Sequence, residues 1–283
     1  MGARMAYMND LVLTAKRRHE LAVLLDDEHR LKATYPKVAE YLDLAPNLSG
    51  TGDDRADASF DLRFVHYVTG GQAHSENPYW DVVAPAVSER SGRRVVDAGR
   101  PNGSARLAYA QMLLQGIYSY AIPSPETVGW IIKFCDGSPM VELGAGRGYW
   151  AALLSAAGVE VEAYDSEPPD QGDNVSFQAG AGQADVWHPV EGLDKLSAGD
   201  RSGDVLFLCW PPGWGNRMAS EALSWFERAG GKRLVFIGEP KGGKTADDTF
   251  FDRLSAGWEL RSKDAHYVSW WNLDDVAQAW VKR

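Results

Sequence analysis

Val141-Glu142-Leu143-Gly144-Ala145-Gly146-Arg147-Gly148-Tyr149-Trp150 reads as a buried strand ending in an acid, then a glycine-rich turn, then the start of a helix. Glycine at alternate positions permits the tight turn and lets backbone approach a ligand that any side chain would push away. Further on, Val159-Glu160-Val161-Glu162-Ala163-Tyr164-Asp165 reads as a second strand closing on an acid. An acid about 20 residues past such a loop is placed to grip a ribose diol. The two signals together put a nucleoside-containing ligand at the edge of a doubly wound sheet.

A dinucleotide fingerprint requires glycine or alanine three positions after the second glycine, for close helix–strand packing. Tyr149 stands there, and the pattern is E-x-G-x-G-x-G instead. The leading carboxylate, Glu142, suits a ligand carrying positive charge better than a pyrophosphate, which it would repel. This spacing resembles motif I of the class I S-adenosylmethionine-dependent methyltransferases. The resemblance implies S-adenosyl-L-methionine as cofactor. It brings Glu142 to the methionine amino group, directly or through water, runs Gly144 and Gly146 close to the methionine part, and puts Asp165 on the ribose. Tyr149 and Trp150, just after the loop, and Trp210, at a later strand end, join the expected cofactor contacts.

The downstream chain agrees with that choice. Asp204 to Cys209 is an uninterrupted apolar run, as in a strand buried on both faces. It stops at Trp210-Pro211-Pro212-Gly213-Trp214 and is followed by a helical stretch from about Arg217 to Ala229 that Gly230-Gly231 ends. Arg233 to Pro240 is the next strand, and a helix over Thr245 to Ala256 has Asp247-Asp248 in its first turn, which suits the helix dipole. Trp258 to Val268 and Ala277 to Lys282 are two β-like runs separated by Asn272-Leu273-Asp274-Asp275. A terminal antiparallel hairpin is how the resembled family finishes its seven-stranded sheet, whereas a dehydrogenase continues with parallel crossovers.

The chain has 283 residues, 45% of them hydrophobic and 24% charged, ordinary values for a globular protein with a real core. No apolar run is long enough for a membrane span, and the N-terminus lacks the order of a secretory signal. Cys135 and Cys209 are far apart in apolar contexts and read as buried free thiols in a reducing cytosol. No metal cluster is visible. A net charge of −10 argues against a nucleic-acid backbone as main partner, because that affinity rests on phosphate neutralisation. Lys16-Arg17-Arg18 and Arg93-Arg94 read as a local basic face or, as such small clusters usually are, solvated surface.

The first third is mostly helical. Leu11, Leu21, Leu24, Leu25 and Leu31 recur at helical intervals between Met5 and about Leu44, with Pro36 ending one helix or starting another. Asn47 to Asp54 is a turn-rich joint, Phe60 to Thr69 is helix or strand, and Gly70 to Pro78 is loop. A helix is expected over Tyr79 to Ser91 despite Pro85, then a joint over residues 92 to 104 and a helix from Arg106 to Tyr118. In the resembled family such additions form a lid over substrate or a dimer contact.

Methyl transfer from a sulfonium is an in-line displacement, so the protein chiefly positions the acceptor and excludes water. A protonated oxygen or nitrogen acceptor also needs a base. Tyr120 and Ser124 precede the first strand, where related enzymes cover the methionine end; Ser124 also has the pattern of an N-cap, with Pro125 and Glu126 behind it. A third strand is expected around Val175 to Gln178. After it, Gln183 or Asp185 falls where the family meets adenine, and His188 is a candidate base or a packed histidine. Glu239, ending a buried strand, is the other candidate base, or a tie for the Lys241-Gly242-Gly243-Lys244 loop. Trp210-Pro211-Pro212-Gly213 resembles the D/N-P-P-aromatic motif of amino-group methyltransferases. Tryptophan has replaced the acid or amide, so the side-chain acceptor is gone while the prolines shape the turn and leave carbonyls facing the site. Trp210 stacks on a flat acceptor or walls the pocket.

The expected architecture is therefore α/β: a Rossmann-like, seven-stranded, mostly parallel sheet with an antiparallel terminal hairpin, over residues 118–283, preceded by a helical region, 1–117. The expected activity is transfer of a methyl group to an oxygen or nitrogen of a small-molecule acceptor by a cytoplasmic enzyme, with a homodimer contact open to the helical region. Methylation of a nucleic acid or a protein is the alternative within the class; a non-catalytic S-adenosylmethionine sensor is the alternative outside it.

Overall fold

A computed structural model describes residues 11–169, 184–197 and 199–283. The chain forms two compact units. One comprises the chain up to Ile117 with residues 184–185 and 270–272; the other comprises the remaining described residues from Tyr118 onward.

In the first unit, helices run over Ala15–Asp26, Glu28–Thr34, Pro36–Leu44, Asp54–Val68, Pro78–Val83 and Ala105–Ile117. Pro36 occupies the first turn of its helix, where its missing N–H costs nothing. Phe60 to Val68 resolves as helix, capped at its start by Asp53, which accepts from the Arg55 and Ala56 N–H groups. Phe64, Val68, Tyr79, Val82 and Val83 are wholly buried. Arg17 ties the first helix down: Nε donates to His66 Nδ1 at 3.1 Å, and Nη2 to the carbonyls of His66 and Thr69.

The expected helix over Tyr79 to Ser91 is a correction. It ends at Val83, continues as one 3₁₀ turn over Ala84–Ala86, and gives way to a hairpin of Val87–Arg90 against Arg93–Val96. Pro85 cannot donate to the helical ladder, and Val87, Val95 and Val96 favour extended backbone. The turn at Ser91-Gly92 has positive φ at both residues, as two-residue hairpins require.

The second unit is built on a seven-stranded sheet. Its strands in chain order are β1 (Met140–Leu143), β2 (Val161–Asp165), β3 (Glu191–Gly192), β4 (Val205–Cys209), β5 (Arg233–Gly238), β6 (Trp258–Lys263) and β7 (Val276–Lys282). Their order across the sheet is β3-β2-β1-β4-β5-β7-β6. The first five are parallel, and β7 lies antiparallel between β5 and β6. The expected sheet with its antiparallel close is thus what the chain forms. Val175 to Gln178, the expected third strand, lies outside the described residues; among the described residues β3 holds that edge.

Alternation along the strands explains why both faces are apolar. Val141, Leu143, Leu206, Leu208, Leu234 and Phe236 pack one way, against helices Met218–Arg228 and Asp248–Gly257. Met140, Val205, Phe207, Val235 and Ile237 pack the other way, against helices Pro125–Cys135 and Tyr149–Ala156. With no polar face to expose, the sheet leaves its chemistry to strand ends and loops.

Candidate active site

The glycine turn after β1 has left-handed backbone at Gly144, Gly146 and Gly148, with φ of 77°, 56° and 72°. A Cβ on Gly148 would stand 2.8 Å from the His188 carbonyl oxygen, so that position needs glycine for space as well as for φ. The turn is bolted to the end of β2: Gly144 N–H and Ala145 N–H donate to the Tyr164 carbonyl at 2.9 and 3.1 Å. Gly146 N–H donates to Asp165 Oδ2 at 2.8 Å, and Glu167 N–H to Asp165 Oδ1 at 3.0 Å. Two lone pairs per carboxylate oxygen leave Asp165 able to accept further bonds.

Glu142 sits under this turn, 2% exposed. Its Oε2 has no hydrogen-bond partner among the described residues. Burial pushes the carboxyl up to about 8, the charge of Asp165 adds to the rise, and a backbone hydrogen bond from Ala151 in the next helix opposes it. A buried acceptor without a donor costs about 1–3 kcal/mol. A cationic donor beside it recovers that cost and draws the carboxyl back to its ionised form.

Tyr120 is 45% exposed and stacks on Trp210, ring centres 5.7 Å apart and planes at 18°. Trp210 has a positive φ of 53°, rare for a bulky side chain. Three contacts hold it there: its N–H donates to the Ile237 carbonyl at 2.7 Å, its Nε1 to Asp275 Oδ2 at 3.1 Å, and Tyr120 covers its ring. Asp275 is itself buried and also accepts from Tyr267 Oη at 2.5 Å and from Ser269 Oγ. Strain of this kind persists only where the surroundings over-determine it. Trp214, four residues on, also has positive φ and is 85% exposed. The expectation that the proline carbonyls face the site needs correcting at Pro211, whose carbonyl accepts from Ala246 N–H at 2.9 Å.

The other expected site residues have these surroundings. Ser124 is buried and caps helix Pro125–Cys135 by accepting from Thr127 N–H at 3.2 Å. Trp150 is buried in the core edge-on to Phe207. Tyr149 is packed between Tyr118 and Trp187, at 4.9 and 5.0 Å. Glu239 ties its loop: Oε2 accepts from Lys244 N–H at 2.7 Å, Oε1 from Asp274 N–H at 3.3 Å, with the Lys244 ammonium beside it. Asp185 is exposed and groups with the first unit; Gln183 lies outside the described residues. His188 is half-buried, its carbonyl against Gly148, while Trp187 N–H donates to the Arg147 carbonyl at 2.9 Å.

Asp275 is the residue that sequence reasoning missed. Asn272 to Asp275 read as a turn between strands, and nothing in that pattern distinguishes a solvated turn acid from one folded under an indole. Among the described residues no group of three or more His, Cys, Asp or Glu is placed to hold a metal ion. No described helix is long and apolar enough to cross a membrane.

No protein-family model matches the chain, and no curated protein matches it significantly. Among solved structures it is similar to a magnesium protoporphyrin IX methyltransferase from Synechocystis PCC 6803 with bound SAH: 14% identity, 62% of this chain against 87% of that one, TM-score 0.36. It is also similar to the CcbJ methyltransferase from Streptomyces caelestis (15% identity, 57% against 97%, TM-score 0.35). A third is a ribosomal protein L11 methylase from Lactobacillus delbrueckii subsp. bulgaricus (12% identity, 58% against 81%, TM-score 0.35). Likeness at this level leaves activity to be read from the site's own residues.

Proposed function

We propose that this chain is an S-adenosylmethionine-dependent methyltransferase acting on an oxygen or nitrogen of a small molecule. The observation that carries the reading is the orphaned Glu142 oxygen, buried beneath a glycine turn at the end of β1. A pyrophosphate there would meet a carboxylate; an ammonium would complete it. Glu142 would hold the methionine ammonium, Asp165 the ribose hydroxyls, and the Gly144–Gly148 backbone would lie close to the methionine chain. When bound, the cofactor supplies an activated methyl group.

The protein's own share is to place and desolvate the acceptor. Trp210 offers an indole pinned at backbone, ring nitrogen and face, so an acceptor beside it meets a rigid aromatic wall in place of a polar side chain. His188, with Glu239 engaged by its loop, is the remaining candidate to take a proton from an acceptor hydroxyl or amine. An acidic chain supports a small acceptor over a nucleic acid. The non-catalytic sensor is the second reading, favoured by the commitment of Glu239 to structure.

Calorimetric titration with S-adenosylhomocysteine and with NAD tests the cofactor. Binding of the first alone is expected; binding of NAD alone would overturn the proposal. With the cofactor bound, turnover across an acceptor panel that is lost in His188→Ala separates enzyme from sensor.

A further inference from the structure

Trp214 and Gly215 are the central residues of a tight turn, with φ of 50° and 85°, closed by Asn216 N–H donating to the Gly213 carbonyl at 3.2 Å. Positive φ at both central residues is the type I′ pattern, which selects glycine, asparagine or aspartate. Gly215 suits it. At Trp214 the left-handed backbone brings Cβ against the carbonyl that follows. A side chain kept in such a conformation is normally held by its surroundings, and Trp210 is, by three contacts. Trp214 is 85% exposed, so burial offsets little of its strain. A residue that breaks the local rule with no compensating gain in the fold marks a functional position.

The turn is fixed on both sides. Before it, the Pro211 carbonyl accepts from Ala246 N–H at 2.9 Å, Pro212 pairs with Thr245, and a Cβ on Gly213 would stand 2.4 Å from the Lys244 carbonyl oxygen. After it, Asn216 Oδ1 accepts from Met218 N–H at 2.9 Å and the chain enters helix Met218–Arg228. The turn follows β4 at its carboxyl end, the edge where open α/β sheets take ligands. It also leads directly to the glycine turn after β1, since a Cβ on Gly144 would stand 2.8 Å from the Met218 methyl. A flat indole is therefore displayed to water on a rigid turn, four residues from that contact.

We propose, resting on the cofactor reading above, that Trp214 is a specificity residue of the acceptor site: its indole stacks on the acceptor, which is a planar, unsaturated ring system. Exposed Gly215, Asn216 and Arg217 follow it, so the apolar patch is one indole. That is far smaller than the roughly 800 Å² per partner of a stable protein interface, and it is large enough for one flat ring. The selection is for a π face and not for hydrophobicity alone. A saturated acceptor of the same outline covers similar area but lacks the ring–ring geometry that aromatic pairs add to burial.

Equilibrium dialysis of the full chain, saturated with S-adenosylhomocysteine, tests this with 2-naphthol and decahydro-2-naphthol. The two share a hydroxyl and a two-ring outline, but only the first is flat and aromatic. Wild type should bind 2-naphthol about two- to tenfold more tightly, the margin of stacking over area burial. Trp214→Leu should lose that margin and Trp214→Phe keep part of it. Trp214→Asn, with a residue that tolerates left-handed backbone, should also lose it while melting at or above the wild-type temperature. Titration with S-adenosylhomocysteine separates the two levels, and its affinity should be the same in all three variants. Failure of S-adenosylhomocysteine to bind wild type would remove the cofactor reading and this site with it. With S-adenosylhomocysteine bound, three results would each overturn the stacking role alone: no saturable 2-naphthol binding or equal affinity for the two alcohols, a margin that survives in Trp214→Leu, or a lower melting temperature for Trp214→Asn.

Discussion

Replacing Glu142 by glutamine removes a titration built into the floor of the glycine turn. The folded carboxyl is raised from its ordinary 4.5 to about 8, first by burial and then by Asp165. The folded state therefore holds this proton more tightly than the unfolded chain does. The resulting stability is complete below pH 4.5 and is lost as pH rises through about 8. At one pKa unit per 1.36 kcal/mol, raising the pH from about 6 to about 8 costs the wild type on the order of 2 kcal/mol through this group alone. For units of this size that corresponds to a fall of about 4–8 °C in melting temperature. Glu142→Gln keeps the shape, cannot ionise, and should melt with a correspondingly flatter pH dependence. Thermal denaturation of both proteins across that window, without ligand, is the assay. Parallel curves would refute the reasoning, because they would mean Glu142 is not held neutral by its burial. A second arm uses calorimetry in buffers of different ionisation enthalpy near neutral pH. Wild type should release a proton on binding S-adenosylhomocysteine as the ammonium draws Glu142 to its charged form; Glu142→Gln should release none from this site.

Asp165→Ala should weaken S-adenosylhomocysteine at least about tenfold, through lost ribose bonds and a loosened Gly146 N–H; unchanged affinity by titration would remove the ribose role. Gly148→Ala forces a Cβ within 2.8 Å of the His188 carbonyl at a φ of 72°. It should cost about 1–3 kcal/mol in a denaturant melt, and a loss under half of that would place His188 elsewhere. His66 in the N-terminal unit has its pKa lowered by burial first, then by Arg17 and His74, with a Gln72 backbone bond and Asp81 opposing. A histidine held neutral lends stability above its ordinary 6.5 that drains away as pH falls below it, so acid should loosen helix Ala15–Asp26. Hydrogen exchange of that helix at mildly acidic and neutral pH measures this, and equal protection at both would count against it. Asp275→Asn should alter the emission of Trp210 through its ring nitrogen; a spectrum matching wild type in a folded protein would deny the bond.

Legibility tracked the range of the forces involved. Strands β4 and β5 were plain because burial on both faces demands continuous apolar runs, and the glycine turn was plain because left-handed backbone selects glycine. One cap was legible too: Ser124 sits at the helix start its side chain suggested, whereas the helix expected from Thr245 begins at Asp248 with Asp247 as its cap. The hairpin at Val87–Val96 was not, since Pro85 marks where a helix must stop but does not specify the conformation of the residues after it. For Glu239 the sequence allowed a base or a tether, and only the folded chain brings the Lys244 and Asp274 N–H groups onto its carboxylate. Trp150 read as a cofactor contact just after the loop, and its place on the helix after the turn packs it edge-on to Phe207.

Local sequence alone determined the class of fold, the glycine turn after β1 and the acids in β1 and at the end of β2, because backbone sterics and hydrophobic periodicity act over a few residues. Tertiary structure decided which buried polar atoms remain without partners among the described residues, the Glu142 oxygen and the Trp150 ring nitrogen among them. It also turned the carboxylate of Asp275 beneath Trp210 from 65 residues away. Whether a buried polar group is satisfied depends on donors and acceptors brought in from distant segments, so it becomes readable only when the chain has closed around it.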